Sequence, residues 1–336
     1  MKIDKSRVKR ILVITLSNLG DVVLTTPVLG ALLGEFPLAS LDVMVGPRGR
    51  EIFEGHERIS DVIIYDKKSS WPEKFTLLLA LRKKKYDMVI DLKNTVFPLL
   101  LGAKFITNPV RHIKKNVTHK RDVHLSRLRE MGIDPAGCEF HIPVKDSDKK
   151  HAEELLSEVK EKPFVVISPG AKSHVKRWPL KNFARLADMI KKEFDYEVVL
   201  IGDENDRIVI ERILSNMKTV PLNLIEKTNI PELLHIIKKS SLVITNDSAP
   251  LHIAGTLGAR ILVFFGPTDE REYGPRTRAK SKVLKKALKC SPCTVPQCIN
   301  SENKYECLKT ISTEEAYRAV RELLEVKNAN TSNENR

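Results

Sequence analysis

Short apolar runs alternate along most of the chain with segments of helical periodicity, and many of the runs end in glycine or small polar residues. The first run, at residues 10–15, leads through a glycine-containing turn to apolar residues at helical spacing up to about residue 35. Short apolar runs of this kind are typical of buried parallel strands, and their alternation with helices is typical of α/β sheets. The pattern therefore predicts a doubly wound sheet.

The same alternation continues to the end of the chain and begins again near its middle. The run at 164–168 ends in Ser168-Pro-Gly-Ala171 and repeats the opening layout of strand and glycine turn. Strands are predicted at 10–15, 41–45, 62–65, 87–91, 164–168, 197–201, 241–245 and 260–265. The main helices are predicted at 72–84, 125–131, 149–160, 182–194, 207–216, 230–239 and 313–326.

A chain of 336 residues is too long for one ordinary core, so length also favours two domains. We expect Rossmann-like domains at 1–148 and 149–311 that face a central cleft. A helix at 312–326 is expected to pack back on the first domain, and the polar tail at 327–336 is expected to be disordered. Ligands of such sheets bind beyond the carboxyl ends of the strands.

The net charge of +14 changes this picture by implying an anionic partner. Aromatic residues make up only 6% and do not alternate with basic ones, so a lipid surface or a phosphorylated ligand is favoured over nucleic acid. A lysine-rich solvated surface explains the charge equally well. The chain has no apolar run long enough to span a membrane, and its N-terminal apolar run is too short for a signal peptide. These features predict a cytoplasmic protein, peripheral to a membrane.

The carboxyl end of the strand at 241–245 carries the first candidate site. Asn246, Asp247 and Ser248 suit a helix N-cap, and Pro250 suits the first helical turn. A helix N-terminus after a buried strand binds anions, most often phosphate, through its backbone N–H groups. Asp247 either caps the helix or bonds a sugar hydroxyl, and a histidine such as His252 is more often packed than catalytic.

Two further sets of polar residues follow strands of the second domain. Lys172, Lys176 and Arg177 precede a Trp-Pro pair, and cations at this place suit a diphosphate, although a solvated basic loop is the alternative. A carboxylate among residues 203–206 either accepts a hydrogen bond from a ribose hydroxyl or caps a helix.

In the first domain, Asp21 stands at the entry to the first helix. On structural grounds alone a capping carboxylate is favoured, and the functional alternative is a general base. Gly20 would let a ligand approach the backbone. The spacing G-x-G-x-x-G is missing, which argues against a dinucleotide oxidoreductase.

Four motifs together resemble glycosyltransferase family 9, the ADP-heptose:lipopolysaccharide heptosyltransferases. They are Leu19-Gly-Asp21, Ser168-Pro-Gly-Ala171, Lys176-Arg-Trp-Pro179 and Asn246-Asp-Ser-Ala-Pro-Leu-His-Ile-Ala254. The resemblance covers nearly the whole chain in the family's order and spacing. It implies a GT-B fold and an inverting, metal-independent transfer of heptose from ADP-L-glycero-D-manno-heptose to the lipopolysaccharide inner core.

The resemblance also assigns roles to residues. Asp21 is expected to be the general base and Lys176 to contact the donor phosphates, with no cofactor required. The expected donor-binding residues are Ser168, Gly170, Lys172, Arg177, Glu204, Asp247, Ser248, Ala249, Leu251 and His252. The expected acceptor-binding residues are Asn18, Gly20, Arg111, Lys114, Lys120 and Arg121.

The expected partners are the ADP-heptose donor, the lipopolysaccharide core and lipid A acceptor, and the anionic inner-membrane surface. Basic stretches at 82–85, 111–115 and 119–121 would meet the lipid phosphates. Two alternatives stay open: a nucleotide-sugar transferase of the same fold that acts on another glycan, and a non-catalytic nucleotide or nucleic-acid binder. No nucleic-acid partner is expected.

Four cysteines stand close together near the end of the second domain: Cys290, Cys293, Cys298 and Cys307. Their spacing fits a structural zinc loop, and it fits equally well reduced thiols in a compact loop or a redox-labile pairing. Asp146 and Asp148 form a D-x-D string, but they precede a helix and follow no buried strand, so we interpret them as a helix cap.

Overall fold

The computed structural model describes residues 3–15, 18–108, 118–135, 139–159, 161–293 and 296–325. Contacts between its residues divide the chain into two compact units, Met1–Pro143 and Val144–Arg336. The division lies a few residues before the expected boundary at 148/149, because the helix that begins at Asp146 belongs to the second unit. The tail at 327–336, which we expected to be disordered, lies outside the described residues, as does Cys138.

The first unit is a five-stranded parallel sheet with helices between its strands. Its strands are β1 (Arg10–Ile14), β2 (Ser40–Val45), β3 (Ile59–Ile64), β4 (Met88–Asp91) and β5 (Phe105–Ile106). Its helices are α1 (Leu19–Glu35), α2 (Trp71–Lys83), α3 (Phe97–Leu101) and α4 (Lys120–Glu130).

The second unit is a six-stranded parallel sheet. Its strands are β6 (Phe164–Ser168), β7 (Glu197–Leu200), β8 (Leu222–Asn223), β9 (Leu242–Asn246), β10 (Ile261–Phe265) and β11 (Ser281–Lys285). Its helices are α5 (Asp146–Leu155), α6 (Leu180–Glu193), α7 (Arg207–Leu214), α8 (Ile230–Lys239), α9 (Ala249–Thr256), α10 (Glu270–Tyr273), α11 (Glu306–Lys309) and α12 (Thr313–Leu324).

The strand orders of the two sheets correspond. The first unit has the order β3-β2-β1-β4-β5. The second has the order β8-β7-β6-β9-β10-β11, which is the same arrangement with one more strand at the end. In each sheet the order reverses between two neighbouring strands, β1 and β4 or β6 and β9, and such a switch point is where ligands of doubly wound sheets bind. The predicted fold class is therefore confirmed for each unit, and each has its own place for a site.

Helix α12 belongs to the second unit, and the expectation that it packs back on the first domain stays a prediction. Its apolar side enters the core of the second unit, in which Ala316, Ala319 and Val320 are almost fully buried beside Trp178 and Phe264. The helix contacts α6, β10 and β11. Its apolar residues recur at the spacing that lines one side of a helix, and that side packs on the β10–β11 end of the sheet.

The D-x-D string caps a helix, as interpreted from the sequence. The Asp148 carboxylate accepts a hydrogen bond of 2.9 Å from the backbone N–H of Lys145 at the start of α5. Asp146 is exposed and pairs with Lys149. Over the described ranges, no helix is both long enough and apolar enough to cross a membrane.

Candidate functional site

An ion pair lies at the switch point of the second unit. The Lys176 ammonium is 2.7 Å from Oδ2 of Asp247, and the Thr268 hydroxyl donates to the same oxygen at 2.7 Å. The Asp247 side chain is only 5% exposed, whereas that of Lys176 is 29% exposed. A buried carboxylate with two donors is held in one orientation, so it also fixes the ammonium at the carboxyl edge of the sheet.

Asn246 and Trp178 position this ion pair. The Asn246 side chain accepts from the backbone N–H of Trp178 at 2.9 Å and donates to the Pro169 carbonyl at 2.7 Å. The Trp178 ring is fully buried and stacks on Phe264 with a centroid distance of 4.1 Å. A buried amide with both ends bonded ties the loop after β6 to the end of β9, and the loop brings Lys176 to Asp247.

The N-terminus of α9 begins directly beside the ion pair. Within the described structure the Ser248 side chain makes no capping hydrogen bond to α9, and its hydroxyl lies 3.1 Å from that of Thr245. The Leu251 N–H donates to the Ser248 carbonyl, and the Leu251 side chain is fully buried. His252 is also buried. Ser248 and Ala249 therefore offer the amides that best suit an anion here.

The loop after β6 is packed against a carboxylate that we did not single out from the sequence. A Cβ on Gly170 would lie 2.1 Å from Oδ2 of Asp206, so only glycine fits at this place. Burial raises the pKa of Asp206, and the neighbouring Asp203 raises it further. Arg177 donates to the Ala171 carbonyl at 3.0 and 2.7 Å, and so holds the loop.

The remaining donor-side candidates are one buried residue and two exposed ones. Ser168 is buried at the end of β6 beside Thr245 of β9, at the switch point. Lys172 is exposed. Glu204 is also exposed, in the short 3-10 helix Glu204–Asp206 beyond β7, and the structure does not bring it to the ion pair.

Asp21 lies in the first turn of α1, at the switch point of the first unit. Asn18 is the N-cap residue, and its side-chain amide donates to the Asp21 carboxylate at a long 3.4 Å. Asp21 is half-buried and exerts an electrostatic effect on Lys93, which follows β4. Burial lowers the pKa of Lys93, and Asp21 opposes this change.

The acceptor-side candidates are only partly described. Gly20 is half-buried beside Asp21 in α1. Lys120 and Arg121 form the first turn of α4, and the Arg121 Nε is buried with no hydrogen-bond partner among the described residues. Arg111 and Lys114 lie outside the described residues.

The four cysteine side chains line one small cavity of the second unit, behind the turn that carries Thr268. The Cys293 N–H donates to the Pro267 carbonyl at 2.8 Å. Burial raises the pKa of Cys307 to about 11, and the three other thiols contribute to this rise. No group of three or more His, Cys, Asp or Glu side chains in the described ranges is placed to hold a metal ion. As placed, these thiols do not fit the zinc that the spacing suggested.

Thr268 and Lys93 were not singled out from the sequence, and Asn246 was expected only to cap a helix. Thr268 and Lys93 each come two or three residues after a buried strand, Phe265 being the last residue of β10 and Asp91 the last of β4. That position was a usable signal, because strand ends meet at one edge of a parallel sheet. Asn246 is the last residue of its own strand, where a buried amide is unusual.

Comparisons with known proteins agree with this architecture. The model of glycosyltransferase family 9 (heptosyltransferase) matches residues 75–304, more than half of the chain. The chain is 29% identical over 283 residues to lipopolysaccharide heptosyltransferase 3 of Escherichia coli, covering 76% of this chain and 83% of that protein.

Two solved structures share the fold. A family 9 glycosyl transferase from Veillonella parvula DSM 2008 superposes with a TM-score of 0.81 at 24% identity, covering 97% of this chain and 99% of that one. ADP-heptose lps heptosyltransferase II of E. coli gives 0.76 at 23% identity, covering 94% and 98%. They confirm the predicted GT-B fold with its two Rossmann-like domains, and the family match shows that the chain belongs to glycosyltransferase family 9 (heptosyltransferase).

Proposed function

We propose that this chain transfers heptose from ADP-L-glycero-D-manno-heptose to the lipopolysaccharide inner core, with inversion at the anomeric carbon and without a metal ion. The observation that carries the proposal is the Lys176–Asp247–Thr268 group beside the N-terminus of α9. The names of the relatives support the sugar and the acceptor, because the E. coli protein above is a lipopolysaccharide heptosyltransferase.

The second unit binds the donor in this proposal. The diphosphate lies at the N-terminus of α9, where the amides of Ser248 and Ala249 donate to it and Lys176 neutralises part of its charge. Asp247 holds Lys176 in place and accepts a hydrogen bond from a hydroxyl of the heptose. Charge builds up on the diphosphate as the bond to the anomeric carbon breaks, and a fixed ammonium and a helix N-terminus stabilise that charge without reorganising.

The first unit supplies the base. The acceptor hydroxyl attacks the anomeric carbon from the face opposite the leaving ADP, and its proton passes to the carboxylate of Asp21. The reacting carbon has oxocarbenium character at this stage, so a weak nucleophile needs only one positioned base. The reaction requires Asp21 and the donor to meet in the reacting complex, which makes a conformational step part of the proposal.

The acceptor is anchored in lipid, so we place the enzyme at the cytoplasmic face of the inner membrane. The net charge of +14 supports contact with anionic headgroups and with the phosphates of the core.

A donor panel tests the proposal. Calorimetric titration should show tight binding of ADP-heptose and weak binding of UDP-sugars, and transfer to a heptose-free lipid A–core acceptor should persist in excess chelator. Transfer from a UDP-sugar alone would instead indicate another nucleotide-sugar transferase. Salt-sensitive RNA binding without any sugar-nucleotide binding would indicate a non-catalytic binder.

A further inference from the structure

The outer side of α2 is apolar although it faces solvent. Trp71 is 84% exposed, Phe75 61% and Leu79 43%. These three residues are spaced four apart, so they form one stripe along the helix. Within α2, which the structure describes completely, Leu81 is the one buried residue. The stripe is therefore a surface feature and not part of the core.

Helix α3 extends this surface. Val96 and Leu99 are each 64% exposed and Leu100 is 44% exposed, while Phe97 and Leu101 of the same segment are buried. Helices α2 and α3 contact each other and pack on one apolar cluster. We call the outward residues of the two helices, together with Val96 at the N-cap of α3, the α2–α3 apolar face. Its members are Trp71, Phe75, Leu79, Val96, Leu99 and Leu100.

Cations border this face. The ammonium of Lys74 lies 5.6 Å from the centroid of the Trp71 ring. Glu73, the one acidic residue of α2, is held in a capping box with Ser70. The other cations within α2 or just before it are Lys67, Lys68, Arg82 and Lys83.

We propose that the α2–α3 apolar face docks on an anionic lipid bilayer, with its aromatic and aliphatic side chains below the headgroups and its cations among the lipid phosphates. Exposed apolar clusters of this kind mark interaction sites, and the combination of Trp, Phe and Leu with bordering Lys and Arg is typical of helices that lie in a membrane interface. A second copy of the chain fits less well, because a symmetric contact through this face would bring its cations together.

The position of the face adds a functional consequence, which rests on the proposed lipid-anchored acceptor. Lys93 interacts electrostatically with Asp21 and also with Lys67, which lies just before α2. Trp71 is the first residue of α2. The start of the docking face therefore lies at the same edge of the sheet as Asp21, and docking would hold that edge at the membrane surface.

Vesicle binding tests the proposal with a built-in probe. The chain has two tryptophans, of which Trp71 is on the face and Trp178 is fully buried in the second unit. With vesicles of phosphatidylcholine and phosphatidylglycerol, Trp71 emission should shift to shorter wavelength and the protein should sediment with the lipid. Phosphatidylcholine alone should bind it far more weakly. Trp71→Phe should remove the spectral shift but keep sedimentation.

A triple variant, Trp71→Ser with Phe75→Ser and Leu79→Ser, should lower the affinity for vesicles measured by sedimentation at least about tenfold. The reason is that three apolar side chains are no longer transferred from water into the bilayer. The matched control is Ile208→Ser with Val220→Ser, two exposed apolar residues of the second unit, which should bind like the wild type. The proposal would be overturned if the wild type did not bind anionic vesicles, or if the triple variant bound them as tightly as the wild type.

Two further measurements separate this idea from its alternatives. A concentration-dependent dimer that the triple substitution abolishes, without vesicle binding by the wild type, would assign the face to a second copy. The triple variant should keep its transfer rate on a de-acylated, water-soluble acceptor. If the wild type binds vesicles but transfers no heptose, the proposed function fails and the docking surface stands.

Discussion

Helices α2 and α8 occupy the same place in the two units, since each connects the third strand of its sheet to the fourth, but they are covered differently. Helix α8 buries five residues, among them Leu234 and Ile237, and α5 packs on it. Helix α2 buries one residue and turns an apolar stripe to solvent. The same sheet topology therefore does not decide which helix faces are buried, because a second helix must be present to cover them.

The two switch points differ in a related way. In the second unit Lys176, Asp247 and Thr268 are joined by contacts of 2.7 Å around a buried carboxylate. In the first unit Asp21 is half-buried, and the hydrogen bond that it accepts from Asn18 is long, at 3.4 Å. A rigid arrangement suits a leaving group, because the negative charge that develops on it is stabilised without any rearrangement. A less constrained carboxylate suits a base that accepts a proton from a docked hydroxyl.

The largest expected effect comes from the first unit's carboxylate. Asp21→Asn should lower kcat about 10²–10⁴-fold, because it removes the proton acceptor and keeps the size of the side chain. The Kd for ADP, measured by calorimetry, should stay unchanged. Glu314→Gln, a carboxylate in the first turn of α12, controls for loss of charge at a helix N-terminus. Full activity in Asp21→Asn would exclude Asp21 as the general base.

The contrast between α8 and α2 can be measured as stability with matched substitutions. Leu234→Ala should lower the free energy of unfolding by about 2–5 kcal/mol, since Leu234 is 3% exposed in a packed core. Leu79→Ala, at a position 43% exposed, should change it by less than about 0.5 kcal/mol. Urea titrations followed by circular dichroism would show both. Equal losses would mean that the outer side of α2 is covered in solution.

Lys176→Met should lower kcat about 10²-fold or more and weaken ADP binding, because the leaving diphosphate loses its fixed ammonium. Kinetics and calorimetry on the same preparation check both values. Lys181→Met, an exposed lysine at the start of α6, is the control and should behave like the wild type. Loss of kcat with unchanged ADP affinity would mean that Lys176 stabilises the transition state but does not contribute to ADP binding. If neither kcat nor ADP affinity falls, Lys176 does not belong to the site.

The smallest effect concerns the cysteine loop that supports the Thr268 turn. The thiolate is the reactive form of cysteine, so a Cys307 whose burial raises its pKa to about 11 should react slowly with iodoacetamide at pH 8. Its rate should keep rising up to about pH 11. Peptide mass spectrometry reports the labelling, with the urea-unfolded chain as reference. Labelling as fast as in the unfolded chain would show that the packing behind the Thr268 turn is loose.

The long elements were predictable because their periodicity is local. Strand β6 and helix α8 agree with prediction to the residue, and each strand predicted from an apolar run is present. Strand β11 was missed because Ser281-Lys-Val-Leu-Lys285 is a short edge strand without an apolar run. Strands β5 and β8 have two residues each and take their form from neighbours in the sheet.

The candidate site was predictable where residue chemistry and strand ends coincided, as at Asp21, Lys176 and Asp247. The pairing of Lys176 with Asp247 was not, since 71 residues separate them and only the folded sheet brings the two loops together. The packing of α12 on the core of the second unit was not predictable for the same reason: the spacing of Ala316, Ala319 and Val320 gives an apolar side but not the surface that it covers.

Trp178 has a consequence for synthesis of the protein on the ribosome. Its indole N–H donates to the Ile311 carbonyl at 3.0 Å, and its backbone N–H donates to Asn246 beside Asp247. Ile311 follows Trp178 by 133 residues, and domains fold as units once their sequence has emerged. The loop that carries Lys176 thus gains this support only after residue 311 has emerged, and a nascent chain should not acquire affinity for nucleotide before that point.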